Sequence, residues 1–469
     1  MPRVLFIDLF RNFYDQHGIY SLSAAMKAHN IEVDFITEKS LKKALRRIAG
    51  IKPDLLLYSS FSAALPLFAE FDAAVKKSIK VRSLIGGPGP TFDREFIKKT
   101  SIDAACIGEG EIALVNFINS GLQGEKNIFF KDDSVPSEFY QFADLDKLPF
   151  PDRDVVYKVD ALLRDMPSKQ FLSGRGCPYD CAYCFNHTFK ELFKGCGQTV
   201  RKKNIGYLLE EIRTVKNKYP LKNVVFNDDT FIIDKKWFLD FSRRFPKEFN
   251  LSYTCNIRAN LVDEEIAKGL SESNCIGVNW SIESGNEFLR NAVLKRSMSS
   301  EQALEAARLL TKYKIPYRIG NIIGLPGEKP DQMLETLELN IKAKPSLGLA
   351  NIFVPFPGLA LTKYAIEHGY YNPEKNARLP KDFFSESVMD ITPEENKQVQ
   401  KIMCLFPIFV NMPFLFYKRI IRKIMFSCPQ FLLRFLYEIF YADRMMKLYA
   451  VRVSLVQKYR IALRYVANL

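Results

Sequence analysis

The segment "SGRGCPYDCAYCFNH", Ser173 to His187, decides how the rest of this chain is read. Cys177, Cys181 and Cys184 follow one another in a C-x-x-x-C-x-x-C spacing. "SGRG" and Pro178 make a turn of the approach to them, so the thiols sit on a loop. Thiolates bind soft metal centres, zinc and iron–sulfur clusters among them. Three sulfurs on a four-iron cubane leave one iron open to a further ligand, whereas a structural site closes every position. A Cys3His zinc site with His187 as the fourth ligand is the competing reading.

The surrounding pattern sets the architecture. "RVLFID", "EVDFIT", "DLLLYS", "RSLIGG" and "DAACIG" are short apolar runs separated by amphipathic stretches. Five such units predict an α/β fold opening with a Rossmann-like, doubly wound parallel sheet over residues 1–130. A polar, proline-bearing linker is expected over 131–165. The rhythm resumes with "KQFLSG", "NVVFND", "LSYTCN", "GVNWSI", "YRIGNIIG" and "LANIFV", predicting a partial (β/α)6 TIM-like barrel over 166–370. Residues 371–469 read as an α-helical module rich in aromatic and basic residues.

Of the formal charge of +14, the last 69 residues carry +10, with twelve Lys or Arg against Glu438 and Asp443. The basicity therefore belongs to a tail. Three readings of it stay open: core helices closing the barrel, a peripheral membrane surface, and nucleic-acid binding. The last is disfavoured because no groove-reading motif is seen. The uncharged run Ile402–Tyr417 is broken by prolines and about one residue short of a bilayer span. Nine cysteines, an odd number, argue against a disulfide framework. With no signal peptide read at the N-terminus, a reducing cytoplasmic location is expected, with room for contact at the inner membrane face.

"CPYDCAYCF" resembles the signature of the radical S-adenosylmethionine (SAM) superfamily, Phe185 standing at the family's aromatic position. The resemblance implies a [4Fe–4S] cluster on Cys177, Cys181 and Cys184, its fourth iron chelated by SAM. Reductive cleavage would then give a 5′-deoxyadenosyl radical. It also implies cofactor roles at later strand ends. Asp228 and Asp229 of "FNDDTF" would meet the methionyl amine, and Arg258 of "NIRANL" the carboxylate. Glu283 of "SIESG" would meet the ribose. Gly324 of "IGNIIGLPGE" and Val354 of "VPFPGLAL" would lie by the adenosine.

"IGGPGPTF" and "CIGEGE" resemble the cobalamin (B12)-binding domain that precedes the barrel in one subfamily. The candidates there are Ser59, Ser60, Gly86, Gly87, Pro88, Gly108, Glu109 and Gly110. The D-x-H-x-x-G cobalt-ligand motif is broken: Asp15-Gln16-His17-Gly18 has Tyr20 where its glycine belongs, so His17 is not read as a ligand.

The implied reaction is methyl transfer to an unactivated carbon of a small-molecule or lipid-like substrate. An electron donor such as flavodoxin or ferredoxin is implied as well. Two alternatives stand: a cyclisation or rearrangement without net methyl transfer, and a zinc-stabilised corrinoid-binding or regulatory protein without turnover. Acid and base residues are not assigned by the sequence.

Overall fold

The computed structural model describes residues 1–10, 13–133, 138–375, 380, 383–448, 457 and 460. Contacts divide the chain into two compact units. The first gathers Met1–Gly174 and Phe189–Leu221. The second gathers Arg175–Thr188 and the chain from Lys222 through the C-terminal helices.

In the first unit all five apolar runs form strands: Arg3–Asp8, Glu32–Thr37, Leu55–Ser59, Arg82–Gly86 and Ala104–Cys106. They pair in parallel, in the order second, first, third, fourth, fifth. Consecutive residues point to opposite faces of a strand, so an unbroken apolar run needs cover on both sides. Val4 and Phe6 pack with Ile19, Met26 and Phe117, while Leu5 and Ile7 pack with Ile48, Phe68 and Val75. Each fully buried Leu, Ile or Phe contributes about 1.5–3 kcal/mol. A sixth strand not foreseen in the sequence, Ile128–Phe130, adds antiparallel to the edge.

The stretch expected as a linker, 131–165, is not a tether. Val155, Val156 and Tyr157 are buried in the same core as Val4 and Phe6. Arg153 forms an ion pair with Asp15 at 3.2 Å, both almost fully buried. Asp15 also accepts hydrogen bonds from the Tyr20 and Tyr157 hydroxyls and the Gln170 N–H. Helices of four and five residues, Asp154–Tyr157 and Ala161–Asp165, are too short to leave a readable period. The network also gives Asp15, in the motif-like D-x-H run, a structural occupation.

The second unit holds five parallel strands in chain order: Asn223–Phe226, Ser252–Asn256, Cys275–Glu283, Tyr317–Ile323 and Leu347–Ile352. Capped helices alternate with them, Asp234, Asp263 and Ser299 accepting from backbone N–H groups in the first turns. "KQFLSG" also yields a strand, Ser168–Phe171, which contacts assign to the first unit.

The helix Pro393–Asn411 buries Val399, Ile402 and Phe406 in one cluster with Leu337 of a barrel helix and Ile323 and Ile352 of the strands. This part of the tail is core. "YAVRVSLV" at 449–456 and nearly all that follows lie outside the described residues. Among the described residues no helix is long and apolar enough to cross a membrane.

Glu328 is buried beyond the strand Tyr317–Ile323. One carboxyl oxygen accepts from the Leu325 N–H at 3.1 Å; the other has no partner among the described residues. Burial pushes its pKa from the ordinary 4.5 to about 8. A raised carboxyl pKa stabilises the fold fully below the unfolded value, and that contribution is lost as pH rises through the folded one. Glu328→Gln should therefore flatten the decline in the urea midpoint between about pH 5 and 9.

Candidate functional site

The loop 176–184 runs into the helix Phe185–Leu192 and is held in place by its own backbone. Ala182 donates its N–H to the Leu294 carbonyl at 3.0 Å and accepts from the Leu361 N–H at 2.8 Å. The Arg258 guanidinium lies over the Tyr179 ring, 3.6 Å from its centroid. So fixed, Cys177, Cys181 and Cys184 line one cavity of about 310 Å³.

The other walls come from strand ends and inward strand faces. Asn227, Asp229 and Thr230 follow the strand Asn223–Phe226, and Arg258 follows Ser252–Asn256. Asn279 and Ser281 alternate along one face of Cys275–Glu283, the period-2 pattern of a strand, and Glu283 joins the wall at its end.

Glu283 is set in place by backbone irregularity. The register with the next strand shifts between Ser281 and Glu283, and Glu283 has φ +72°. A non-glycine residue held there costs on the order of 1–3 kcal/mol and persists only where surrounding contacts impose it. Those contacts are the Tyr183 hydroxyl, donating at 2.8 Å, and Arg296, whose guanidinium approaches to 3.9 Å. Burial, with Glu283 adding to it, pushes the Tyr183 phenol well above its ordinary range, so it stays a donor. Burial works against the Arg296 charge, but Tyr183 and Glu283 outweigh it and raise its pKa.

Two cations stand by the thiols. Arg258 lies 3.6 Å and Arg296 3.9 Å from the Cys181 sulfur through their Nη1 atoms. Burial pushes the Cys184 thiol up to about 11 and raises Cys177. Ionising these thiols therefore needs compensating positive charge, which a bound metal centre brings.

Among the described residues no group of three or more His, Cys, Asp or Glu converges as a single ion requires. His187 pairs with Asp180 at 3.2 Å and does not line the cavity. A Cys3His zinc site would need His187 beside the thiols, whereas three soft sulfur donors sharing one cavity wall suit an iron–sulfur cluster.

The remaining sequence candidates divide. Asp229, Arg258 and Glu283 join the thiols in the cavity wall. Asp228 does not: it is buried off the wall, its carbonyl accepting from the Asn256 side chain at 3.1 Å. Phe185 packs against Phe356, ring centroids 5.8 Å apart, and Val354 is buried outside the wall. Gly324 (φ +68°) faces Val399 of the C-terminal helix; it is Gly320 that lines the cavity. Tyr183, Arg296, Asn279 and Ser281 escaped the sequence reading. Alternation along "CIGVNWSIE" was the available signal for the last two.

In the first unit, Ser59 and Ser60 end the third strand and Gly86, Gly87 and Pro88 the fourth, next to the point between the first and third strands where the strand order reverses. Ser60 donates its N–H to the Gly86 carbonyl at 3.0 Å. Open α/β sheets bind ligands at such a switch point. A Cβ on Gly87 (φ +94°) would lie 2.8 Å from the Ser60 carbonyl oxygen, so only glycine fits this turn. Ser59 and Phe61 are exposed beside it, and Phe10 lies 6.1 Å from the Phe61 ring. This apolar shelf with hydroxyls at its edge suits a broad, flat ligand with amide arms. The other trio is occupied. A Cβ on Gly108 would fall 2.4 Å from the Phe193 ring, Gly110 faces Leu22 and Cys106, and Arg201 grips Glu109 through both terminal nitrogens.

Residues 171–339 match the family model described as the Radical SAM superfamily, and residues 6–118 match the B12 binding domain. The chain is 26% identical over 371 residues to an uncharacterized methyltransferase of Pyrococcus horikoshii, covering 74% of this chain and 77% of that one. It is 21% identical over 345 residues to the anaerobic magnesium-protoporphyrin IX monomethyl ester cyclase of Cereibacter sphaeroides, covering 69% of this chain and 54% of the cyclase. In fold it resembles the radical SAM methyltransferase TsrM from Kitasatospora setae, solved with cobalamin and a [4Fe–4S] cluster. The TM-score is 0.66 at 16% identity, over 79% of each chain.

Cys177→Ala, Cys181→Ala and Cys184→Ala should each lower iron from about four per chain toward background and remove the broad absorbance near ~400 nm. His187→Ala should leave both unchanged. Anaerobic reconstitution followed by iron and sulfide assay checks this.

Proposed function

Because the chain carries a B12-binding domain followed by a radical SAM domain, we propose that it is a cobalamin-dependent radical SAM methyltransferase acting on an unactivated carbon. The observation that carries this reading is the shared cavity wall: three thiols, Asp229, Arg258 and Glu283 around about 310 Å³. When bound, the cluster supplies the electron that cleaves SAM to a 5′-deoxyadenosyl radical, and cobalamin supplies the methyl group.

The protein's own work is binding and exclusion. Cys177, Cys181 and Cys184 would hold the cluster. Arg258 would receive the methionyl carboxylate on its forked donors, and Asp229 the amine. Glu283, held by Tyr183 and Arg296, would accept from the ribose hydroxyls. Ser59, Ser60 and the Gly86–Gly87 turn would receive cobalamin in the first unit. A low-potential donor of the flavodoxin or ferredoxin type would supply electrons.

A second reading, cyclisation or rearrangement without methyl transfer, draws support from the similarity to the magnesium-protoporphyrin cyclase. Incubation with reductant, SAM and cobalamin separates the two. Methyl transfer should release 5′-deoxyadenosine and S-adenosylhomocysteine together, with one CH2 gained by the product. Rearrangement gives 5′-deoxyadenosine and no methylene gain.

We also infer contact with an anionic membrane surface. On the helix Arg419–Ser427, Ile420 and Ile424 are 77% and 60% exposed, four residues apart and so on one face. Phe431 and Phe435 repeat the spacing on the next helix at 77% and 61%. Arg419, Arg422 and Lys423 stand among them, the composition of an interfacial helix. The chain should float with phosphatidylglycerol vesicles and not with phosphatidylcholine vesicles. Ile420→Glu with Ile424→Glu should abolish flotation and leave iron content unchanged.

A further inference from the structure

Three arginines line the cavity: Arg258, Arg296 and Arg318. Two of them already have partners in the protein. Arg258 bonds Asn260 at 2.8 Å and the Arg296 carbonyl, and covers Tyr179. Arg296 bonds Tyr183 at 2.9 Å and the Ser281 carbonyl at 2.8 Å, and faces Glu283. The Arg318 side chain makes no hydrogen bond, ion pair or ring contact with any described residue.

Its neighbours do not supply a counter-charge. Arg318 pairs in register with Asn279, and Gly320 with Ser281. Asn279 donates to the Asn256 side chain at 3.2 Å. Glu283 pairs in register with Asn321, three residues beyond Arg318. At ~3.3 Å per residue, that is roughly 10 Å from the level of Arg318. Glu283 is in any case held by Tyr183 and Arg296. Arg318 is half-buried with no ion-pair partner of its own, and its forked donors fit carboxylate and phosphate oxygens.

We propose that Arg318 is a substrate-binding residue and that the substrate carries an oxyanion, a carboxylate or a phosphate, which seats on it at the floor of the cavity. This rests on the reading of the cavity as the reaction chamber. Gly320, next on the same face, has no side chain to block the way between Arg318 and the level of Glu283. The substrate would then lie along the strand direction, charged end at the N-terminal ends of the strands and reacting carbon toward the thiol end.

Equilibrium dialysis of the full chain against radiolabelled orthophosphate and, separately, acetate tests the proposal without turnover. The wild-type chain should bind one of these anions, and the preferred one identifies the class. Arg318→Gln should weaken that binding at least about tenfold, and Arg318→Lys, which keeps the charge but not the fork, less. Circular dichroism establishes that each variant is folded; if Arg318→Gln does not fold, the smaller loss in Arg318→Lys carries the test. Equal binding by wild type and folded variants, or binding of neither anion by wild type, overturns it. A wild-type chain that binds oxyanion yet releases no 5′-deoxyadenosine with SAM and reductant counts against the functional reading alone.

Discussion

The site depends on one backbone restraint. Ala182 spends both of its peptide groups on distant segments, giving its N–H to Leu294 and taking the N–H of Leu361. A loop with that residue fixed between the second and third cysteines cannot drift, so the sulfurs keep a common cavity. Leu289, Leu294, Leu361 and Ala365 close an apolar cluster around the same residue. The clamp is therefore dry, and its hydrogen bonds do not compete with water.

From that clamp outward, charge is the organising quantity. Thiols whose ionisation burial opposes need positive partners, and Arg258 and Arg296 lie within 4 Å of Cys181. The same Arg296 holds Glu283 with Tyr183, coupling one of the cluster's sulfurs to the carboxylate at the end of the third strand of its sheet. Arg318 adds a third cation deeper in the cavity. The wall is thus richer in arginine than in carboxylate, which favours anionic ligands.

Much of this was legible in the sequence, and the reasons are specific. Strands buried on both faces announce themselves as unbroken apolar runs, so "RVLFID" and "DLLLYS" fell where the sheet has them. The cysteine spacing marked the loop because reduced thiols so closely spaced have little packing use. What escaped was contact between residues far apart in the chain: Tyr183 with Glu283, Arg153 with Asp15, Phe193 over Gly108. Two glycines read as cofactor neighbours, Gly324 by the adenosine and Gly108 by the cobalamin, lie against Val399 and Phe193 of the protein itself. The 131–165 stretch read as a tether because its two helices are shorter than the period that would have revealed them.

Glu283 sits in a left-handed backbone conformation that glycine or asparagine adopts more readily. A glycine here would relax the peptide yet strand the buried Tyr183 hydroxyl and the Arg296 guanidinium without their carboxylate, so the strained position doubles as a lock on the charges behind it.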